Sequence, residues 1–152
     1  MNSYKLNDLA VGLSESFTVS ITEEMMDKFI EITGDVSPIH VDAEYAKAHG
    51  FKTRVCHGML FGSMFSTLAG VYLPGEHCLL HSVETKFSSP VFPGDTLTVT
   101  GKISEINDTF KTLTIKGHIT NQDGKKVCKA VIQAGVREEW KKFILLQVLQ
   151  VM

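Results

Sequence analysis

The stretch that decides the fold runs from Gly34 to Gly70 and reads GDVSPIHVDAEYAKAHGFKTRVCHGMLFGSMFSTLAG. Its second part, from His57 to Gly70, predicts a helix that is apolar on nearly every side. A helix without a polar face must be buried all round, so we expect a sheet to wrap it. Small residues recur every four positions along it: Gly58, Gly62, Ser66 and Gly70. This stripe allows another backbone to approach closely.

The segment after this helix is rich in strand patterns. Leu97, Val99, Gly101 and Ile103 alternate with polar residues, as expected for a half-buried strand. A second alternating run follows at residues 113–119, and Asp123-Gly124 predicts a hairpin turn. Helices followed by a meander of strands indicate an α+β domain, an antiparallel β-sheet wrapped around the central apolar helix.

The domain organisation follows from length and composition. With 152 residues, of which 43% are hydrophobic and 21% charged, the chain fits one globular domain. We assign it residues 1–137. Residues 138–152 form an apolar C-terminal extension with helical spacing, which we expect to dock on the sheet or on a partner subunit. Both apolar segments are shorter than the roughly 20 residues of a membrane span, so we expect no integral membrane span.

Charge and cysteine content exclude several classes. The formal net charge is −2 and no dense basic run is present, which argues against a nucleic-acid partner. Three widely spaced cysteines form neither a disulfide framework nor a zinc motif: Cys56, Cys78 and Cys128. The N-terminus lacks the pattern of a signal peptide, so we expect a cytoplasmic protein.

Two polar residues on the turn at 34–40 are candidates for chemistry. Asp35 and His40 lie five positions apart across Pro38, and a carboxylate and an imidazole that meet over a pocket can activate one water molecule near neutral pH. The alternative is structural, because an aspartate after a helix often caps a turn. Spacing alone favours the structural interpretation.

Four motifs in order change that balance. They are Gly-Asp-Val-Ser-Pro-Ile-His (34–40), His-Gly-Met-Leu with a serine six residues on (57–66), Leu-Pro-Gly (73–75) and Phe-x-x-Pro-Val-x-x-Gly-Asp (87–95). Together they resemble the MaoC-like (R)-specific enoyl-CoA hydratases over roughly Leu9 to Val136. Several motifs in the same order are far more specific than any one of them.

The resemblance implies a hot-dog fold, a homodimer or higher even oligomer, and hydration of trans-2-enoyl-CoA to (R)-3-hydroxyacyl-CoA without a cofactor. In such enzymes the residues matching Asp35 and His40 activate the water, and the glycine matching Gly58 offers its N–H to the thioester carbonyl. The serine matching Ser66 lies near the site. Ser37 stands where asparagine is common in the family, and we expect it to be one of the substrate-binding residues.

Further substrate-binding candidates are apolar: Met59, Leu60 and Phe92. Each is equally plausible as a plain core residue. For coenzyme A phosphates the candidate cations are Lys52, Arg54, Lys86 and Lys111. His57 is expected only to close the start of the helix, and we expect no metal site.

Three alternatives to the hydratase stay open at this point. An acyl-carrier-protein (ACP) dehydratase would run the same chemistry on another carrier, and an acyl thioesterase would direct water to the carbonyl. A non-catalytic module would bind acyl thioesters without turnover. Function resides in the site and not in the scaffold, so the fold cannot decide among them.

Overall fold

The computed structural model describes residues 1–138, which contain one five-stranded antiparallel sheet. The strands lie in the order β1-β3-β4-β5-β2, so β1 and β2 form its edges. Their bounds are β1 Ser14–Ser20, β2 Cys78–Phe87, β3 Thr96–Asn107, β4 Thr112–Thr120 and β5 Lys126–Val136. The predicted α+β architecture is confirmed.

Three helices lie between β1 and the central helix: α1 Glu23–Thr33, α2 Pro38–Val41 and α3 Ala43–Ala48. α1 begins after Thr22, a residue type that commonly caps helices, and the Met25 N–H donates to Thr22 Oγ1 at 3.1 Å. It ends at Gly34, whose φ of 71° suits glycine. The turn at residues 34–40 therefore starts at a fixed point.

Two glycines allow the central helix to sit close to the sheet. Gly101 of β3 pairs directly with Gly117 of β4, so both lack a side chain at the same place on the inner face. A Cβ on Gly117 would lie 2.6 Å from Phe65 Cε1, and one on Gly101 would lie 2.5 Å from Leu68 Cδ2. Phe65 and Leu68 fill this depression and are fully buried.

The central helix differs from its prediction in two ways. It is divided into α4 Gly58–Gly62, α5 Met64–Thr67 and a π-turn at Leu68–Tyr72. The break falls at Ser63, whose hydroxyl donates to the Leu60 carbonyl at 2.6 Å instead of to solvent.

The second difference is exposure. Met59 is 65% exposed, and Ser63 and Ser66 are exposed as well. The expectation that this helix is buried all round is wrong for the single chain, because the sheet covers one side only. On the stripe of small residues, Gly58 and Gly62 face the ring of Phe87 on β2.

Within residues 1–138, no helix is both long and apolar enough to cross a lipid bilayer. The expected C-terminal extension lies outside the described residues except for Glu138. The carboxylate of Glu138 accepts from the Leu6 N–H at 2.8 Å.

Candidate active site

The orientation of His40 fixes which of its nitrogens is available. Its Nδ1 lies 2.6 Å from the carbonyl oxygen of Val55. A carbonyl can only accept, so Nδ1 carries the hydrogen, and the neutral ring presents Nε2 with a free lone pair. α2 starts at Pro38 and places His40 in its last turn, where the ring is half-buried.

Asp35 follows the end of α1 directly. Its N–H donates to Thr33 Oγ1 at 3.2 Å, and its Oδ1 accepts from the Ser37 N–H at 3.2 Å. These local bonds turn the exposed carboxylate back over the proline turn. Ser37 takes part through its backbone and its side chain makes no capping bond to α2.

His57 joins the two predicted groups, and its role was not foreseen. Only 2% of it is exposed, and its Nε2 donates to the backbone oxygen of Asp35 at 3.1 Å. Its ring stacks on that of His40 with centroids 3.9 Å apart. Potential ligand atoms of Asp35, His40 and His57 all lie within 4.8 Å of one another.

Such a set of two imidazoles and a carboxylate could hold a divalent cation. The stacked rings are 25° from parallel, so their in-plane lone pairs run side by side and do not converge on one point. One nitrogen of each ring also bonds a carbonyl already. The arrangement therefore suits a water molecule better than an ion.

Gly58 begins α4 immediately after His57. The first N–H groups of a helix have no partner in the helix itself, and no acceptor within the described part of the chain takes the Gly58 N–H. The absence of a side chain matters here because the Phe87 ring would lie 3.3 Å from a Cβ. The Gly58 N–H is thus a free backbone donor that directly follows His57 in the chain.

Of the five predicted substrate-binding residues, two line one pocket and three, Ser37 among them, do not. Met59 and Ser66 line a pocket of about 140 Å³ on the open side of the helix, together with Gly62, Ser63, Val83 and Thr85. Leu60 is 8% exposed and belongs to the core instead. Phe92 stays outside that pocket, and Lys52 Nζ lies 4.7 Å from its ring centre.

Asp95, the last residue of the motif at 87–95, has a structural role. Asp95 is buried, and its carboxylate accepts from the Phe92 N–H at 2.9 Å and from Gln122 Nε2 at 3.0 Å. The loop fixed in this way accepts the Cys56 N–H at the Val91 carbonyl, 2.7 Å away. Asp95 therefore holds the segment that leads into His57.

Cys56 adjoins the site without being a nucleophile. Burial, together with the smaller effect of the nearby Asp95 charge, raises the pKa of its thiol to about 12. A thiol needs a lowered pKa to react as thiolate near neutral pH. Covalent catalysis through this residue is therefore disfavoured.

Comparisons with known proteins identify the family. Residues 10–124 match the family model described as MaoC like domain. The (R)-specific enoyl-CoA hydratase of Rhodospirillum rubrum is 34% identical over 109 residues, which cover 72% of this chain and 76% of that protein.

Two solved structures have the same hot-dog arrangement. R-hydratase PhaJ1 from Pseudomonas aeruginosa has a TM-score of 0.84 and 32% identity, over 89% of this chain and 86% of its own. The (R)-hydratase from Aeromonas caviae has a TM-score of 0.81 and 26% identity, over 84% and 97%. Since the family match spans more than half of the chain, this protein belongs to the family of MaoC-like domains.

Proposed function

We propose that the protein is a hydro-lyase that adds water to trans-2-enoyl-CoA and forms (R)-3-hydroxyacyl-CoA. One observation carries this proposal: Asp35 and His40 offer atoms within 4.8 Å of each other and of His57, the residue that directly precedes the unpaired N–H of Gly58. Relatives named as (R)-specific hydratases support the same reaction.

The reaction needs a base for water and an acid for the substrate. His40 Nε2 takes one proton from the water while the water oxygen bonds C3 of the enoyl group. The Asp35 carboxylate orients the second hydrogen of that water. C2 then receives a proton from the pair, which returns to its starting state.

Charge develops on the thioester oxygen as water adds to C3. A fixed donor at that oxygen stabilises the transition state more than the ground state. The Gly58 N–H is such a donor, and one such donor typically contributes a factor of ~10²–10³ in rate.

His57 acts as a positioning residue in this scheme. It bonds the backbone of Asp35, stacks on His40 and precedes Gly58 in the chain. One buried ring therefore sets the relative places of the base, the carboxylate and the backbone donor.

A homodimer, or a higher even oligomer, completes the fold. β2 is an edge strand, and an unpaired edge is available for pairing with another chain. Exposed apolar side chains lie on it or on the helix beside it: Met59, Leu79, Leu80 and Phe87. A second copy paired along β2 would cover them and enclose the pocket that Met59 and Ser66 line. Sedimentation velocity that gives only a monomer would contradict this.

We place the enzyme in the reducing cytoplasm. All three cysteines are unpaired in the structure, and two of them are buried. Such thiols are usual where disulfides are kept reduced.

A hydration assay tests the function. The purified protein should remove the enoyl absorbance of crotonyl-CoA and yield the (R)-3-hydroxy product on chiral analysis. His40→Ala should abolish nearly all of this activity, whereas His49→Ala removes a comparable but exposed histidine and should keep it. Release of free thiol without loss of the double bond would indicate a thioesterase, and tight binding without either reaction would indicate a binding module.

A further inference from the structure

The outer face of the sheet, opposite the central helix, carries a basic groove of about 350 Å³. Its charged and titratable lining residues come from β2, β4 and β5: Lys86, Lys116, Lys126, Lys129, His118 and Glu84. The lysines outnumber the carboxylates by four to one. Four lysines and one glutamate give the groove a formal charge of +3. The whole chain has a formal charge of −2, so the other residues together carry −5.

Strand register places like charges directly opposite one another. Lys86 of β2 pairs with Lys129 of β5, so two ammonium groups face each other. His118 of β4 pairs with Lys129 on its other side; burial and the charge of Lys126 lower the pKa of His118, so it contributes a polar ring and not a charge near neutral pH. Directly opposed like charges destabilise a sheet. Lys86 has a carboxylate 3.9 Å away in Glu84, and no other lysine of the groove has an ion pair with a described residue.

This arrangement costs stability and the fold does not require it. Neighbouring outward positions of the sheet are occupied by threonines, such as Thr98, Thr100 and Thr114. A polyanionic ligand would remove the repulsion, and it would gain several charge-assisted hydrogen bonds in doing so.

The groove lies next to the site across a single strand. Lys86 and Phe87 are consecutive in β2, and successive side chains of a strand point to opposite faces. Phe87 packs on Gly58 at the site, while Lys86 faces the groove. A long substrate with its thioester at Gly58 can therefore bring its far end around the end of β2 to the groove.

We propose that this groove binds the phosphate-bearing nucleotide end of coenzyme A. The inference rests on the proposed function and assigns the carrier that the site accepts. The phosphates of coenzyme A concentrate several negative charges in a small volume, and the four lysines of the groove concentrate positive charge in the same way. Arg54, a predicted phosphate ligand, is instead engaged by Asp27 at 2.9 Å and Glu23 at 3.7 Å.

The test compares two substrates that differ only at this end. We measure kcat/KM for crotonyl-CoA and for crotonyl-pantetheine, which lacks the nucleotide. In the double variant Lys86→Gln/Lys129→Gln, the CoA to pantetheine ratio of kcat/KM should fall about tenfold, as expected for two lost charge-assisted contacts. This variant removes a repulsive pair, so it should fold as well as the wild type.

Lys5→Gln/Lys28→Gln is the matched control, since it removes two exposed lysines elsewhere and gives the same net charge. Its ratio should stay within twofold of the wild type. Added salt should lower the ratio of the wild type more than that of the groove variant.

Four results would overturn the inference, and the fourth concerns the wild type alone. The ratio could stay constant in the groove variant, or fall equally in the control. Thirdly, the groove variant could impair turnover of crotonyl-ACP and spare crotonyl-CoA, which would make an acidic carrier protein the occupant. If the wild type hydrates neither crotonyl-CoA nor crotonyl-pantetheine, the proposed function itself fails. If the wild type has equal kcat/KM for both substrates, the result contradicts the proposed role of the groove and leaves the proposed function intact.

Discussion

The sheet-facing side of the central helix and the turn that carries Asp35 and His40 differ in what holds them. Phe65 and Leu68 are fully buried against two glycines of the sheet. Asp35 is exposed and depends on hydrogen bonds to its own neighbours. Stability and the proposed chemistry therefore depend on separate residues, and His57 connects the two regions.

The largest effect is expected from a substitution in the turn at residues 34–40, which should lower activity without lowering stability. Asp35→Asn keeps the shape of the side chain and removes its charge, so hydration of crotonyl-CoA should fall by roughly 10²–10⁴-fold. The midpoint of thermal unfolding should stay close to that of the wild type. Asp108→Asn changes an exposed aspartate of the β3–β4 turn and serves as the control. A variant with normal turnover would remove Asp35 from the mechanism.

The next largest effect is expected from a substitution in the core, which should lower stability without lowering the activity of folded molecules. Phe65→Ala leaves a cavity against Gly117 and should reduce the free energy of unfolding by about 3–5 kcal/mol. Activity per folded molecule should remain within a few-fold of the wild type at low temperature. Chemical denaturation and active-site titration measure the two quantities separately. Loss of activity in fully folded protein would show that core and site are not separable.

His57 contacts the turn and also precedes the central helix, so its substitution tests the connection between the two regions. His57→Phe keeps an aromatic ring but loses the bond to the Asp35 carbonyl, so kcat should fall roughly 10- to 100-fold with little change in KM. His77→Phe is the matched control, since both histidines have an Nδ1 atom without a partner in the described structure. Equal loss of stability and of activity in both variants would reduce His57 to a packing residue.

The smallest effect concerns the buried thiols. Burial raises the pKa of Cys56 to about 12 and that of Cys128 to about 11, from an ordinary value of 9.0. The unfolded chain therefore loses these protons first, and stability should decrease as the pH rises from 9 toward 11. Thiol titration at pH 8 should be slow in the native state and fast in denaturant. Rapid native labelling of Cys56 would contradict its burial.

The sequence allowed much of the fold to be predicted. Alternation on β3 and β4, the Thr22 cap and the Gly34 stop are local signals, and the structure has each of them. The Asp35 and His40 pair was predicted by a motif, and spacing alone would have left it as a turn cap. The structure brings its atoms together with those of His57.

The other features depend on contacts between distant segments. The contact of His57 with Asp35 joins residues 22 positions apart, and no local pattern encodes it. The exposed side of the helix was missed because an apolar helix looks the same whether a sheet or a partner chain covers it. Of the basic groove, the sequence suggested only Lys86 as a phosphate ligand. Its other lysines were missed because they come from strands whose register the sequence does not state.

The facing glycines Gly101 and Gly117 have a consequence for how this scaffold can diversify. They lock one flank of the helix so tightly that a single added methyl group there would meet Phe65 or Leu68. The opposite flank, with Met59 and Ser66, has no such constraint. Substitutions at Met59 and Ser66 could therefore change the size of the acyl group that is accepted, while the side of the helix that packs on the two glycines stays unchanged.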